Sequence, residues 1–140
     1  MDREILFRGK RRDNGKWVEG CYVRTVTGQA YILPKATFIS FDDGIAIGGF
    51  VEVAPSTVGQ YTGLTDKNDV KIFDGDIVWA GYYKWKCQVV WDEKCARFIC
   101  YTIEGERRIV YVDMVEKDGK SALDVIGNVH DNPELIGGDG

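Results

Sequence analysis

Gln60-Tyr61-Thr62-Gly63-Leu64-Thr65-Asp66-Lys67-Asn68-Asp69-Val70-Lys71-Ile72-Phe73-Asp74-Gly75-Asp76-Ile77-Val78 is the densest run of turn chemistry in the chain. Tyr61 and Leu64 flank Gly63, so two apolar anchors enclose a residue that takes positive φ at low cost. Thr65, Asp66, Asn68 and Asp69 carry side chains that hydrogen-bond nearby backbone, which favours a turn over a helix. Val70, Ile72, Ile77 and Val78 restore strand composition. Between them Asp74-Gly75-Asp76 is a second turn. A Gly-Asp turn running into an apolar strand suits the start of a small barrel. The run divides the sequence into two β-rich halves.

Upstream, Ile5-Leu6-Phe7 opens a strand, and Asp13-Asn14-Gly15 separates it from an apolar run over residues 17–26, which predicts a hairpin. Gly28 marks the next turn. Ala30-Tyr31-Ile32-Leu33 is a strand that Pro34 ends. Asp42-Asp43-Gly44 lies between two further apolar runs and predicts another hairpin. Gly48-Gly49 permits a bend before Phe50-Val51-Glu52-Val53. Downstream, residues 72–80 form a strand broken by its turn. Trp85, Cys87, Val89 and Trp91 fall on one face at period two. Ala96, Phe98 and Cys100 share a face of the returning strand. Ile109-Val110-Tyr111-Val112 and residues 123–129 complete the set, and residues 113–119 form a short helical turn or a loop. No segment of convincing helical period is present, and no repeat or low-complexity linker.

The reading is therefore mainly β with little helix: an N-terminal β-hairpin meander followed by a small SH3-like β-barrel. The expected boundaries are an N-terminal lobe over 1–56, a C-terminal lobe over 57–136 and a flexible tail over 137–140. The two lobes are separate or form one compact unit. The 140 residues suffice for either.

Hydrophobic residues make up 44% and charged residues 29%, the balance of an ordinary globular chain. A net charge of −4 opposes broad attraction to nucleic acid or anionic membrane, because such binding rests on neutralising phosphates. No apolar run reaches the ~20 residues that span a bilayer, and Met1-Asp2-Arg3-Glu4 does not open a secretory signal. The expected location is the cytoplasm, with Cys21, Cys87, Cys95 and Cys100 reduced.

The central stretch resembles the YopX family of phage and prophage proteins, whose members carry a QYTGL-D-KN-x-x-I-x-GDIV run. A second match is Val125-Ile126-Gly127-Asn128-Val129-His130-Asp131-Asn132-Pro133-Glu134-Leu135, which resembles the family's VIGNI-x-x-NPEL ending. The first hairpin matches loosely. The resemblance picks out Gln60, Tyr61, Thr62, Gly63, Leu64, Asp66, Lys67, Asn68, Gly75, Asp76, Ile126, Gly127, Asn128, Asn132, Pro133 and Glu134, all expected to be structural. It implies a phage or prophage setting, in a bacterial host cell, and brings no particular activity with it. Asn132-Pro133 fits the start of a short helix, with Asn as cap and Pro first.

Each candidate chemistry has a plain alternative. Asp66, Asn68 and Val70 imitate the first ligand positions of a calcium loop. That pattern then needs an oxygen ligand, a Gly and a Glu where Val70, Lys71 and Ile77 stand. Cys87, Cys95, Cys100 and His130 lack the paired spacing of a structural zinc site, and Cys87 and Cys100 lie on apolar strand faces. His130 is the sole histidine, has no nucleophile motif beside it, and occupies a motif position that varies within the resembling family. Acidic pairs such as Asp74 with Asp76 lie in turns, and neither a phosphate loop nor a dinucleotide fingerprint occurs. No catalytic, metal or cofactor-binding residue is assigned.

The basic cluster Arg8, Lys10, Arg11 and Arg12 is the best nucleic-acid candidate, with Lys84, Lys86, Arg107 and Arg108 as possible additions. Trp17, Tyr82, Tyr83 and Trp85 are aromatics suited to base stacking. The alternative is a solvated hairpin tip balanced by nearby acids, which the net charge favours. The preferred expectation is a non-enzymatic phage or prophage accessory module that self-associates and binds a phage or host protein through strand edges and exposed aromatics around Tyr82-Tyr83. A nucleic-acid-binding barrel is the alternative, and no membrane partner is expected.

Overall fold

The computed structural model describes residues 4–34, 49–80, 85–104, 109–111 and 122–136, with backbone only at 109–111. The fold is mainly β. The described strands form two antiparallel sheets, one of six strands and one of five. The chain divides into two compact units, Met1–Gln60 and Tyr61–Gly140, and the division falls inside the strand Gly59–Thr65. The hairpin expected around Asp42-Asp43-Gly44, the turn or loop at 113–119, the tail over 137–140, and Tyr82, Tyr83, Lys84, Arg107 and Arg108 lie outside the described residues.

In the first unit, β1 (Phe7–Lys10) pairs with β2 (Trp17–Arg24), Lys10 opposite Trp17. The turn between them holds Gly15 at φ +70°, as the Asn-Gly signal predicts. β2 continues into β3 (Ala30–Pro34) through a turn with Gly28 at φ +93°. Pro34 is the last described residue of β3 and pairs with Gly20. β4 (Val51–Val53) pairs with β3.

The end of β4 also returns to β1. Arg11 bridges Val53, Arg12 N donates to Glu52 O at 3.1 Å, and Ala54 N donates to Lys10 O at 2.8 Å. The predicted meander is thus curled rather than flat. Ala30, Ile32 and Val53 are the buried centre, with Phe7, Val18, Tyr22 and Val58 packed around them. Two close approaches depend on glycine. A Cβ on Gly9 would meet Val53 Cγ2 at 2.9 Å, and one on Gly20 would sit 1.8 Å from Leu33 O. Thr57, in a 3-10 turn (Pro55–Thr57), accepts from Lys10 N at 2.9 Å and ties that turn to β1. Gly59 and Gln60, at the start of β5 (Gly59–Thr65), pair with Arg8 and Phe7.

In the second unit the rest of β5 pairs with β6 (Lys71–Phe73), with a register shift between Tyr61 and Thr65. Gly63 occupies that shift at φ +91°. β7 (Asp76–Ala80), β8 (Trp85–Asp92), β9 (Arg97–Thr102) and β10 (Ile109–Tyr111) follow as successive antiparallel neighbours. β11 (Asp124–Asn128) returns to the far side of β7.

The predicted faces are present in part. Cys87 and Val89 join Ile72, Val78, Ala80, Cys100 and Leu123 in one buried cluster, and Phe98 packs against it. Trp85 and Trp91, on the same face by alternation, are exposed at its two ends. The five strands do not close into the expected SH3-like barrel. β10 and β11 end the sheet and make no pairing with each other among the described residues. Closure needs the end strands to meet at a fixed stagger, which strand periodicity does not specify. No helix of the described residues is long and apolar enough to cross a membrane.

Cys21 and Cys95 are exposed, Cys87 and Cys100 buried. Burial pushes the Cys87 thiol up to about 11 from 9.0. It pushes Cys100 up to about 12, with the neighbouring Cys87 adding to the shift. A raised folded-state value means that below 9.0 both thiols are neutral in either state and the full contribution to stability is present. That contribution falls as pH rises past 9.0 toward 11 and 12, because the unfolded chain ionises first. Titration with a chromogenic disulfide at neutral pH is expected to modify Cys21 and Cys95 in the native protein, and all four thiols only in denaturant.

Ile72 is fully buried while Val70, two residues earlier, is 46% exposed. Ile72→Ala is expected to cost about 2–5 kcal/mol in urea unfolding. Val70→Ala is expected to stay within about 0.5 kcal/mol. Equal effects would refute the placement of the core.

Candidate functional site

The polar residues of the two motifs meet in the second unit. The joint begins with a local loop. Asp66 N donates to Val70 O at 2.7 Å, and Asp69 N donates to Asp66 O at 3.1 Å with Asp69 at φ 66°. Aspartate tolerates that left-handed conformation better than most residues. The Asp66 side chain closes the loop from inside. Its Oδ1 accepts from Asn68 N at 2.7 Å and from Val70 N at 2.9 Å.

The other oxygen reaches across the fold. Asp66 Oδ2 accepts from Val125 N at 3.0 Å, 59 residues away. The loop backbone follows, with Lys67 N donating to Leu123 O at 3.1 Å. Asp124 then lies beside the loop, accepting from Asn68 Nδ2 at 3.3 Å and pairing with Lys67 Nζ at 3.7 Å. Asp66 is fully buried, and a buried carboxylate is tolerated because it is hydrogen-bonded. Both of its oxygens are engaged by backbone N–H groups. That donor set is the reverse of what a cation requires, so the calcium-like spacing codes for a turn.

The second contact between the motifs lies one strand further on. Gly75, at φ +93°, donates its N–H to Val89 O at 2.8 Å and accepts from Val129 N at 2.9 Å. Asp76 is buried, and its Oδ2 accepts from Phe73 N at 2.7 Å, which closes the β6–β7 turn. Asp76 also pairs in register with Asn128. Between Val125 and Gly127 the register shifts, so Ile126 is the residue of the bulge.

Asn128 organises the exit from β11. Its Oδ1 accepts from His130 N at 3.0 Å and Asp131 N at 2.9 Å, and its Nδ2 donates to Asp131 Oδ2 at 3.1 Å. Asn132 stands at the cap position with Pro133 first, as the sequence predicts, but the element is a 3-10 turn (Pro133–Leu135) and the Asn132 side chain makes no cap bond; its backbone O accepts from Leu135 N at 3.0 Å. Asn132 Oδ1 instead accepts from Asn128 N at 3.2 Å, and its Nδ2 donates to Glu134 Oε1 at 3.3 Å. A side chain at position 127 would displace that of Asn132 from its bond to Asn128. A Cβ there would lie 2.5 Å from Asn132 Oδ1 and 3.2 Å from Leu135 Cδ1. In the first motif Tyr61 packs its ring on Phe73 with centroids 5.6 Å apart, Leu64 packs on the core, and Thr62 Oγ1 accepts from Leu64 N at 3.2 Å.

The basic hairpin is a different kind of surface. Arg8 lies over the Trp17 ring at 4.5 Å and Lys10 over the same ring at 5.5 Å. Arg11 is bidentate to Asp13, at 2.9 and 2.8 Å. That hydrogen bond lowers the Asp13 carboxyl below its ordinary value and raises Arg11. Arg12 pairs with Glu52 at 3.4 Å. Lys86 pairs with Glu104 at 2.8 Å. Acids therefore stand against Arg11 and Arg12 of the hairpin. Among the described residues no group of three His, Cys, Asp or Glu side chains is placed to hold a metal ion.

This all-β chain, whose two motifs meet within the second unit, carries the sequence pattern of one protein family. Residues 6–137 match the family described as YopX protein, and the chain belongs to that family. The crystal structure of protein EF1440 from Enterococcus faecalis is similar in fold, with a TM-score of 0.53 at 22% identity, over 95% of this chain and 98% of that one. No curated protein matches the sequence.

Asp66→Ala strips the acceptor from three backbone N–H groups at once. The expected loss is more than about 2 kcal/mol, since one buried unsatisfied donor alone costs roughly 1–3 kcal/mol. Amide exchange at Val125 is expected to accelerate more than exchange at Val89, because the carboxylate holds β11 and not β8. Unchanged protection at Val125 would show that Asp66 is not its anchor.

Proposed function

We propose that the chain is a non-enzymatic, self-associating interaction module encoded by a phage or prophage and acting in the cytoplasm of the host cell on a phage or host protein. The observation that carries this reading is the pair of exposed tryptophans on one face of β8. Trp85 and Trp91 are each 46% exposed, at the two ends of a face whose middle is core. Trp91 is held edge-on to Phe98 with centroids 4.9 Å apart, so it is presented rigidly. Rigid, partly exposed aromatic anchors are what protein interfaces use most. β10 and β11, the end strands of that sheet, offer edges for pairing. The motif polar groups support the same reading, since Asp66, Asp76 and Asn128 bond to backbone of their own unit.

The experiment is light-scattering mass across a concentration series. A discrete multimer is expected for the native chain. Trp91→Lys combined with Trp85→Lys is expected to shift it toward monomer with an unchanged far-ultraviolet spectrum. A native chain that is monomeric at every usable concentration removes self-association.

A second reading rests on the Arg8, Lys10 and Trp17 cluster, where two cations flank an indole. It makes the first hairpin a nucleic-acid contact working in phage DNA metabolism. The ion pairs of Arg11 and Arg12 count against it, because phosphate binding would compete with Asp13 and Glu52. It predicts oligonucleotide binding at low salt that weakens steeply as salt rises and is lost in Arg11→Gln with Arg12→Gln. No binding at low salt ends it.

A further inference from the structure

We propose that Asn14-Gly15, at the tip of the first hairpin, is a site of spontaneous covalent modification in which the Asn14 amide becomes aspartate or isoaspartate. In the first step the Gly15 backbone nitrogen gives up its proton to solvent and attacks Asn14 Cγ. The new N–Cγ bond forms as the Cγ–Nδ2 bond breaks, and ammonia leaves carrying the proton. Water then opens the five-membered imide at either carbonyl. Opening at one side gives aspartate, and at the other isoaspartate, in which the backbone runs through the former side chain. The reaction needs an N–H on the following residue, little bulk beside that nitrogen, and access for water.

The chain has four asparagines, and only one meets all three needs. Asn132 precedes Pro133, which has no N–H. Asn128 is buried, its side chain is engaged at both ends, and the β-branched Val129 that follows donates its N–H to Gly75 O at 2.9 Å. Asn68 donates its amide to Asp124, and Asp69 N beside it is held by Asp66 O at 3.1 Å. Asn14 is exposed, Gly15 follows it at φ +70°, and nothing lies within 4 Å of where a Cβ on Gly15 would stand.

The turn acts on the reaction in two directions. Asn14 Oδ1 accepts from Lys16 N at 2.9 Å, closing a ring around the Gly15 peptide and drawing electron density off Cγ. Gly15 N donates to Arg11 O at 2.9 Å, which restrains the attacking nitrogen and makes the folded chain slower than the unfolded one. The products differ in consequence. Aspartate keeps an oxygen for Lys16 N and adds one negative charge among Arg11, Arg12 and Lys16. Isoaspartate adds a methylene to the main chain, which the Arg11 N to Lys16 O bond of 2.9 Å does not accommodate.

The test is to hold the full-length native chain in mildly alkaline buffer at growth temperature and sample it over weeks. Chymotryptic peptides spanning Arg8 to Trp17 are then mapped by mass spectrometry, and isoaspartate is labelled with the isoaspartyl methyltransferase. The expected result is progressive exchange of the amino group for hydroxyl at Asn14, with isoaspartate label in the same peptide, while Asn68, Asn128 and Asn132 stay intact. Asn14→Gln, whose cyclisation needs a larger ring, is expected to lose the label. The proposal is overturned if Asn14 stays intact in the native chain while the same chain in urea converts there. It is equally overturned if another asparagine converts first.

Discussion

The bond from Val125 N to the Asp66 carboxylate is the constraint on which the second unit depends. One oxygen of Asp66 shapes its own loop and the other holds a strand 59 residues away. A local turn thereby becomes a tertiary anchor. Burying a carboxylate is costly in an apolar interior unless hydrogen bonds replace its hydration. Here three N–H groups supply that replacement. The charge is therefore stable only when both the loop and β11 are in place, which couples the two motifs energetically.

Once β11 is anchored, the rest of the second motif follows. Asp124 falls beside Lys67 and Asn68, and Asn128 falls opposite Asp76. The bulge at Ile126 changes the pairing phase between these two contacts, so one strand meets the loop at one end and the Asp74-Gly75 turn at the other. Gly127 then lies under the Asn132 side chain, which a Cβ would push aside. The density of Asp, Asn and Gly in both stretches is thus explained by geometry of the fold. Backbone groups that no ladder satisfies are satisfied by these side chains.

The first unit solves a different problem. Its core is small, with Ala30, Ile32 and Val53 at the centre, and the curl of β4 back to β1 encloses it. Gly9 makes room for the Val53 side chain where β4 returns to β1, and Gly20 for the Leu33 carbonyl between β2 and β3. The charged tip of its hairpin is largely self-compensated, with Arg11 on Asp13 and Arg12 on Glu52. Trp85 and Trp91 of the second unit are, by contrast, partly exposed apolar surface, and they carry the proposed interface.

The sequence by itself determined most of the described strands and turns and part of the alternating faces. Asn14-Gly15, Gly28 and Asp74-Gly75 fixed their turns, because positive φ is a property of single residues. Cys87, Val89 and Cys100 fell in the core at the positions that period two assigns. Family membership was also legible, from the order and spacing of two motifs. Only the tertiary structure decided that Asp66 reaches Val125, that the Asn132 side chain bonds back to Asn128, and that the second sheet ends at β10 and β11 among the described residues. Each of these pairs groups whose partner is chosen by strand order and register. Local propensity constrains a residue and its near neighbours, whereas order and register emerge from packing of the whole unit.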